Sequence, residues 1–301
     1  MQTEQATVNG ISITYEDKGP RDAPVILLVM GLGGQLTLWP DEFVDALNAR
    51  GFRTIRYDNR DVGLSTRFEA AGVPNLKWMF VKAAIGLPVR PAYTLADMAA
   101  DGIGLLDHLG IDRAHVVGVS MGGMISQHIA ARYPQRVLSL TSVMSTTGNR
   151  RLPRAQREAM RVLANRPMSG DKEALIAYSV NAARVIGSPG YPSAEDRLQR
   201  RVRADFERGW YPQGVARQMA AIVADGDRRP MLKDIKAPTL VIHGEDDPLV
   251  PLPGGRDTAD NIAGARLKTI PGMGHDLPLA LVDTLADAIA EHIEATATVA
   301  A

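Results

Sequence analysis

Arg113-Ala-His-Val-Val-Gly118-Val-Ser120-Met-Gly122-Gly-Met-Ile-Ser-Gln-His-Ile-Ala-Ala-Arg-Tyr133 is the stretch whose reading decides the fold. Its first half, Val116–Val119, is a short apolar run rich in β-branched residues, which predicts a buried strand of a parallel sheet. Its second half places Met124, Ile125, Ile129 and Ala130 at helical spacing until Pro134 stops the helix. Between them lies Gly118-Val-Ser120-Met-Gly122, a G-x-S-x-G turn too tight to admit a Cβ at either glycine. Such a turn exposes the Ser120 hydroxyl at the C-terminal edge of the sheet, beside the Met121 N–H at a helix N-terminus. The pattern alone arises by chance in roughly one chain in ten of this composition, so the strand–turn–helix context carries the reading.

Strands and helices continue to alternate on both sides of this stretch. Thr7–Glu16 carries the hairpin signal Asn9-Gly10 and reads as an antiparallel edge pair. Val25–Met30 is a fully apolar strand that runs straight into Gly31-Leu32-Gly33-Gly34. A helix over 38–49 and a strand over 52–57 follow, then Asp58-Asn-Arg-Asp-Val-Gly-Leu-Ser65. Thr94, with Asp97 three residues on, caps a helix over 95–109. Val137–Met144 is the next strand, and Pro238–His243 and Arg266–Ile270 are the last two. A helix over 278–293 ends the fold, and the Ala/Thr tail from Ala295 is expected to fray. The alternation predicts an α/β fold, a doubly wound and mostly parallel sheet whose ligands bind at the C-terminal strand edge. Between Thr147 and Asp234 there are four segments of helical composition and no strand, so the chain divides into a core of 1–146 and 235–301 and a helical cap of 147–234.

Composition narrows the function. The 301 residues include 34 Lys+Arg against 34 Asp+Glu, and this balance gives no long-range field for nucleic acid or an anionic membrane. There is no cysteine, which removes disulfides, thiolate metal sites and a Cys nucleophile. The N-terminus lacks the basic and apolar regions of a signal peptide, and no apolar run is long enough to span a bilayer; a soluble cytoplasmic protein is expected. Asn75–Pro88 is markedly apolar for an excursion; part of a lid and an interface are open readings, and packing on the main body is favoured over a membrane role. The arginines at 150, 151, 154, 157, 161 and 166 read as a solvated helix face in preference to an anion funnel.

A serine hydroxyl needs a base to take its proton and a carboxylate to orient that base, both on loops at the same sheet edge. His275 lies in such a loop between the last strand and the last helix, flanked by Gly272 and Gly274. His108 and His128 fall within helices, His115 at the wrong end of a strand, and His292 near the C-terminus; His243 reads as a structural hydrogen-bonder. The acid loop Glu245-Asp-Asp247-Pro offers Asp247 first and Asp246 second. Ser120, Asp247 and His275 then occur in the chain order Ser…Asp…His. The oxyanion needs two N–H donors, for which Met121 and Leu32 are the candidates. The acidic loop has one nearby histidine and no second ligand cluster, so neither a metal nor a cofactor is expected.

Four of these segments together resemble the α/β-hydrolase superfamily. Gly118–Gly123 matches its nucleophile elbow, Gly244–Pro251 its acid loop and Gly272–His275 its histidine loop. Asp58–Ser65 resembles its Asp-x-Arg-Gly-x-Gly-x-Ser turn, with Asp61 in place of a glycine. Leu28–Gly31, Arg56–Asp61 and Ala114–Gly122 are most similar to capped serine carboxylesterases such as aclacinomycin methylesterase. Met30 departs from the His that many members carry before the oxyanion-hole glycine, and Ser120 excludes the aspartate-nucleophile members. The resemblance implies a serine carboxylic-ester hydrolase acting on a small-molecule ester through an acyl-enzyme. C–C bond hydrolysis or perhydrolysis on the same triad, and a hydrolase-like binding receptor, are the alternatives.

Overall fold

The chain folds, in this computed structural model, around one eight-stranded sheet; residues 2–165 and 167–299 are described, and Arg166 lies outside them. The hairpin of β1 (Glu4–Val8) and β2 (Ile11–Lys18) turns at Asn9 and Gly10, both at positive φ, as a two-residue turn matched to strand twist requires. β3 (Val25–Val29), β4 (Arg53–Tyr57), β5 (Ala114–Val119), β6 (Val137–Val143), β7 (Thr239–Gly244) and β8 (Arg266–Ile270) are mutually parallel. The order is β1-β2-β4-β3-β5-β6-β7-β8, with β2 antiparallel to both neighbours. The chain leaves β3 for β4 on one side and returns to β5 on the other, so a crevice opens at the C-terminal ends of β3 and β5.

Helices cover both faces. α1 (Asp41–Ala49) and α11 (Val282–Val299) bury Phe43, Leu47, Leu285 and Ile289 on one side. On the other, α3 (Leu95–His108) and α4 (Met121–Arg132) bury Met98, Leu105, Ile125 and Ile129. α2 (Leu76–Ala84) is the expected apolar excursion, and α3 begins at a Thr94–Asp97 capping box. α11 continues to Val299, past the point where fraying was expected, because the Ala- and Thr-containing tail carries no glycine or proline to end it.

Between β6 and β7 the described residues hold α5 (Arg157–Ala164), α6 (Lys172–Ile186), α7 (Glu195–Gly209), α8 (Pro212–Asp225) and the single turn α9 (Arg229–Leu232), and no strand. α10 (Pro253–Asp260), after the acid loop, was not expected from its two glycines and three charges. It forms because Pro253 starts it and because Gly255 lets it lie against His243, where a Cβ would come within 2.4 Å of the imidazole Nδ1.

The turn after β4 ties these layers together. Asp58 accepts hydrogen bonds from the Leu36 and Leu64 N–H groups, and Ser65 donates to the Asp58 carbonyl. Arg60 forms a bidentate pair with Asp101 of α3 and lies between the rings of Phe68 and Tyr93. Asp61, at φ 68°, occupies a conformation that glycine accepts freely and aspartate tolerates through local hydrogen bonds. Its carboxylate receives the Phe68 N–H and the guanidinium of Arg217 from α8.

Candidate active site

Ser120 stands at the β5–α4 turn with φ 54° and ψ −119°, a strained conformation fixed from several sides. Its N–H donates to the Val143 carbonyl at 2.9 Å, and its carbonyl accepts from the Ser145 hydroxyl at 2.7 Å. The flanking glycines are needed for space. A Cβ on Gly118 would lie 2.3 Å from the Gly122 carbonyl oxygen, and one on Gly122 would lie 2.0 Å from the Val29 carbonyl oxygen. Elbow, strand β3 and helix α4 therefore pack backbone against backbone.

The structure brings Ser120, His275 and Asp247 together from three loops. His275 Nδ1 is 2.7 Å from Asp247 Oδ2, and His275 Nε2 is 2.9 Å from Ser120 Oγ. A carboxylate only accepts, so Nδ1 carries the proton and Nε2 presents its lone pair to the serine hydroxyl. Asp247 also accepts from the Leu249 and Val250 N–H groups at 2.9 and 2.8 Å, and the site holds it 4% exposed. Asp246, the second candidate, faces away and accepts from the Gly272 N–H. His243 lies behind the acid loop, its Nε2 2.7 Å from the Val250 carbonyl; burial holds its pKa below the usual value, so it serves as a neutral donor.

The loop after β3 lies beside the serine. Met121 opens helix α4, so its N–H has no partner one turn earlier. Gly31 abuts the serine, since a Cβ there would sit 3.1 Å from Ser120 Cβ. The Gly34 N–H closes a turn onto the Gly31 carbonyl, with Leu32 and Gly33 at its centre and Gly33 at φ 65°. Met30 cannot brace this loop with a side-chain hydrogen bond; two other residues do so. Asn59 donates to the Met30 carbonyl at 2.9 Å, and Gln218 of α8 accepts from the Gly33 N–H at 2.8 Å while donating to the Arg60 carbonyl.

The histidine loop is held from the helical insertion as well. The His275 N–H donates to the Ile186 carbonyl at 2.7 Å, and the Gly274 N–H donates to the Ser188 hydroxyl at 2.8 Å. The Ser188 hydroxyl donates in turn to Asp276, whose carboxyl burial pushes above its usual pKa. Sequence reasoning missed Ser188, Gln218 and Asn59. Asn59 sits inside the Asp58–Ser65 turn motif, but helical periodicity gives no sign of which polar residue on α8 points inward.

Comparison with known proteins agrees with this architecture. The chain matches the family described as the alpha/beta hydrolase fold over residues 24–279, and it belongs to that family. It is 32% identical to rhodomycin D methylesterase of Streptomyces sp. (strain C5), over 98% of this chain and 99% of that protein. Among solved structures it is similar to a hydrolase from Pseudomonas aeruginosa (28% identity, TM-score 0.69, 98% of this chain and 97% of that one). It is also similar to the enol-lactonase from Burkholderia xenovorans LB400 (25% identity, TM-score 0.71, 97% and 100%). The chain is thus a hydrolase of the α/β-hydrolase family. No helix among the described residues is long and apolar enough to cross a membrane.

Proposed function

We propose that this protein is a serine carboxylic-ester hydrolase that acts through a Ser120–His275–Asp247 triad and an acyl-enzyme. The observation that carries the reading is the continuous relay of 2.7 Å from Asp247 to His275 and 2.9 Å from His275 to Ser120. Similarity over almost the whole chain to a methylesterase supports ester bonds as the target. His275 takes the Ser120 proton as the hydroxyl attacks the acyl carbon, and Asp247 stabilises the imidazolium that forms. The Leu32 and Met121 N–H groups hold the oxyanion of the tetrahedral intermediate. Its collapse expels the alcohol, protonated by His275 Nε2, and leaves the acyl group on Ser120. Water then attacks the acyl carbon with His275 as base, releasing the acid and restoring the serine. Residues 147–234 act as the cap that shapes the pocket above these groups.

Hydrolysis of p-nitrophenyl esters from acetate to palmitate, and of methyl esters, by wild type and Ser120→Ala tests the reading. The substitution should lower kcat by about 10⁵-fold or more, with an unchanged circular dichroism spectrum and no burst of acyl-enzyme. A Ser120→Ala protein that turned over at the wild-type rate would refute the mechanism. Serine-dependent cleavage of a diketone in preference to every ester would replace it with C–C hydrolysis.

A further inference from the structure

Helix α2 is apolar on two opposite sides. Met79 and Ala83 are buried, and this side faces α8. Trp78, Val81 and Ile85 follow one another at helical spacing on the far side and are 54%, 47% and 65% exposed; Phe80 and Leu87 are exposed as well. A helix with apolar residues on opposite sides meets a core with one side and calls for a second apolar phase on the other. Packing on the main body therefore accounts for one side only.

The charges around this surface are of one sign. Between Glu69 and Asp97 the chain has no carboxylate, but it carries Lys77, Lys82 and Arg90. Arg150 joins them by donating to the Ala83 carbonyl at the end of α2. None of the four has a carboxylate partner among the described residues, although Lys82 lies 5.7 Å from the Trp78 ring centroid. The contrast with α6 and α7 is direct, because there Lys172, Arg184 and Arg203 each meet a glutamate. A net charge of zero weakens the far field, but a docked surface responds to charges within a Debye length, about 8 Å at physiological salt.

We propose that the outer side of α2 docks on an anionic lipid surface. Aromatic and aliphatic side chains enter the headgroup–acyl boundary, and Lys77, Lys82, Arg90 and Arg150 face the lipid phosphates. A second copy of the chain does not suit this surface. Two-fold contact would set the unpaired cations of one copy against the same cations of the other, with no acid on the segment to separate them. The inference is independent of the reaction at Ser120.

Flotation with phosphatidylcholine vesicles, with and without phosphatidylglycerol, tests the proposal, read together with tryptophan emission. Trp39 is buried and Trp210 partly so, which leaves Trp78 as the reporter of the surface. The protein should float with the phosphatidylglycerol vesicles, shift its emission to the blue, and be released by salt. Each cation near an anionic surface contributes roughly a fivefold gain in partitioning, so Lys77→Gln with Lys82→Gln should weaken binding about twentyfold. Ile85→Ser should weaken it further, and Trp78→Phe should remove the spectral shift while keeping the flotation. All should hydrolyse a soluble ester as the wild type does. Failure of the wild type to float with anionic vesicles would overturn the proposal. So would equal binding to pure phosphatidylcholine, or a concentration-dependent dimer in place of lipid binding.

Discussion

Helix α8 and the pair α6–α7 come from the same insertion but meet the rest of the molecule through opposite chemistry. α8 buries eight of its 14 residues, including the charged Arg217 and the polar Gln218, at 2% and 0% exposure. Those two side chains reach the β4 turn and the Gly31–Gly34 loop, where every contact replaces water lost on burial. α7 buries only Leu198, and with Val180 and Ile176 of α6 it makes a core of three buried residues. Its outer charges pair with α6 in full solvent, as Lys172–Glu207 and Arg203–Glu173. Where α6 does matter to the site is at and just past its C-terminal end, where the Ile186 carbonyl and the Ser188 hydroxyl accept from the His275 and Gly274 N–H groups. The comparison teaches that sensitivity in this insertion should follow desolvation, not the number of ion pairs.

The largest effect should come from Arg217. Replacing it with leucine leaves the Asp61 carboxylate, 0% exposed, without its counter-charge, and also frees the Gly72 carbonyl and the Tyr211 hydroxyl. Breaking a buried pair from one side costs about 3–5 kcal/mol, which urea unfolding would read as a large fall in the midpoint. Adding Asp61→Gly should recover most of the loss, since glycine suits φ 68° and no stranded charge remains. A single substitution costing as little as a surface pair would break the comparison.

Gln218 sharpens it, because here burial is tied to chemistry. Gln218→Ala strands the Gly33 N–H and the Arg60 carbonyl, at about 1–3 kcal/mol. The Gly31–Gly34 turn loses its brace, and a small misplacement of a catalytic group costs up to about a hundredfold. The expected result is a kcat lowered by about tenfold to a hundredfold with KM little changed, and Gln218→Glu, which keeps the acceptor for Gly33, in between. A purely structural role for Gln218 would lower stability and leave kcat per folded molecule as it was.

The parts of the site legible in the sequence are those where geometry forces residue type. Gly118 and Gly122 are dictated by backbone contacts, Asn9-Gly10 by positive φ, and the alternation of apolar strands with amphipathic helices by the two faces of one sheet. Ser120, Asp247 and His275 could be chosen because each ends or follows a strand at the same edge. The supporting residues had no such signature. Gln218 and Arg217 sit in a helix whose apolar spacing says which side is inward but not what a polar residue there will meet. α10 was hidden by glycines that close packing requires, and α2 by apolar residues that a folding rule assigns to a core and the structure leaves in solvent.

The smallest expected effect tests the other half of the comparison. Arg203 makes a bidentate pair with Glu173 at 2.7 and 2.6 Å, geometrically better than many buried contacts. Both side chains are exposed, at 44% and 63%, and the pair holds the Glu173 carboxyl below its usual pKa by direct hydrogen bonding. Water already solvates these charges in the unfolded chain, so pairing gains little and salt screens what remains. Arg203→Ala and Glu173→Ala, alone and together, should leave the urea midpoint and kcat within error of wild type. A double-mutant cycle showing coupling as large as that of Arg217 with Asp61 would mean that α6 and α7 are held as firmly as α8. Desolvation would then no longer explain which contacts of the insertion matter, and the exposed pairs would have to be read as a cooperative network.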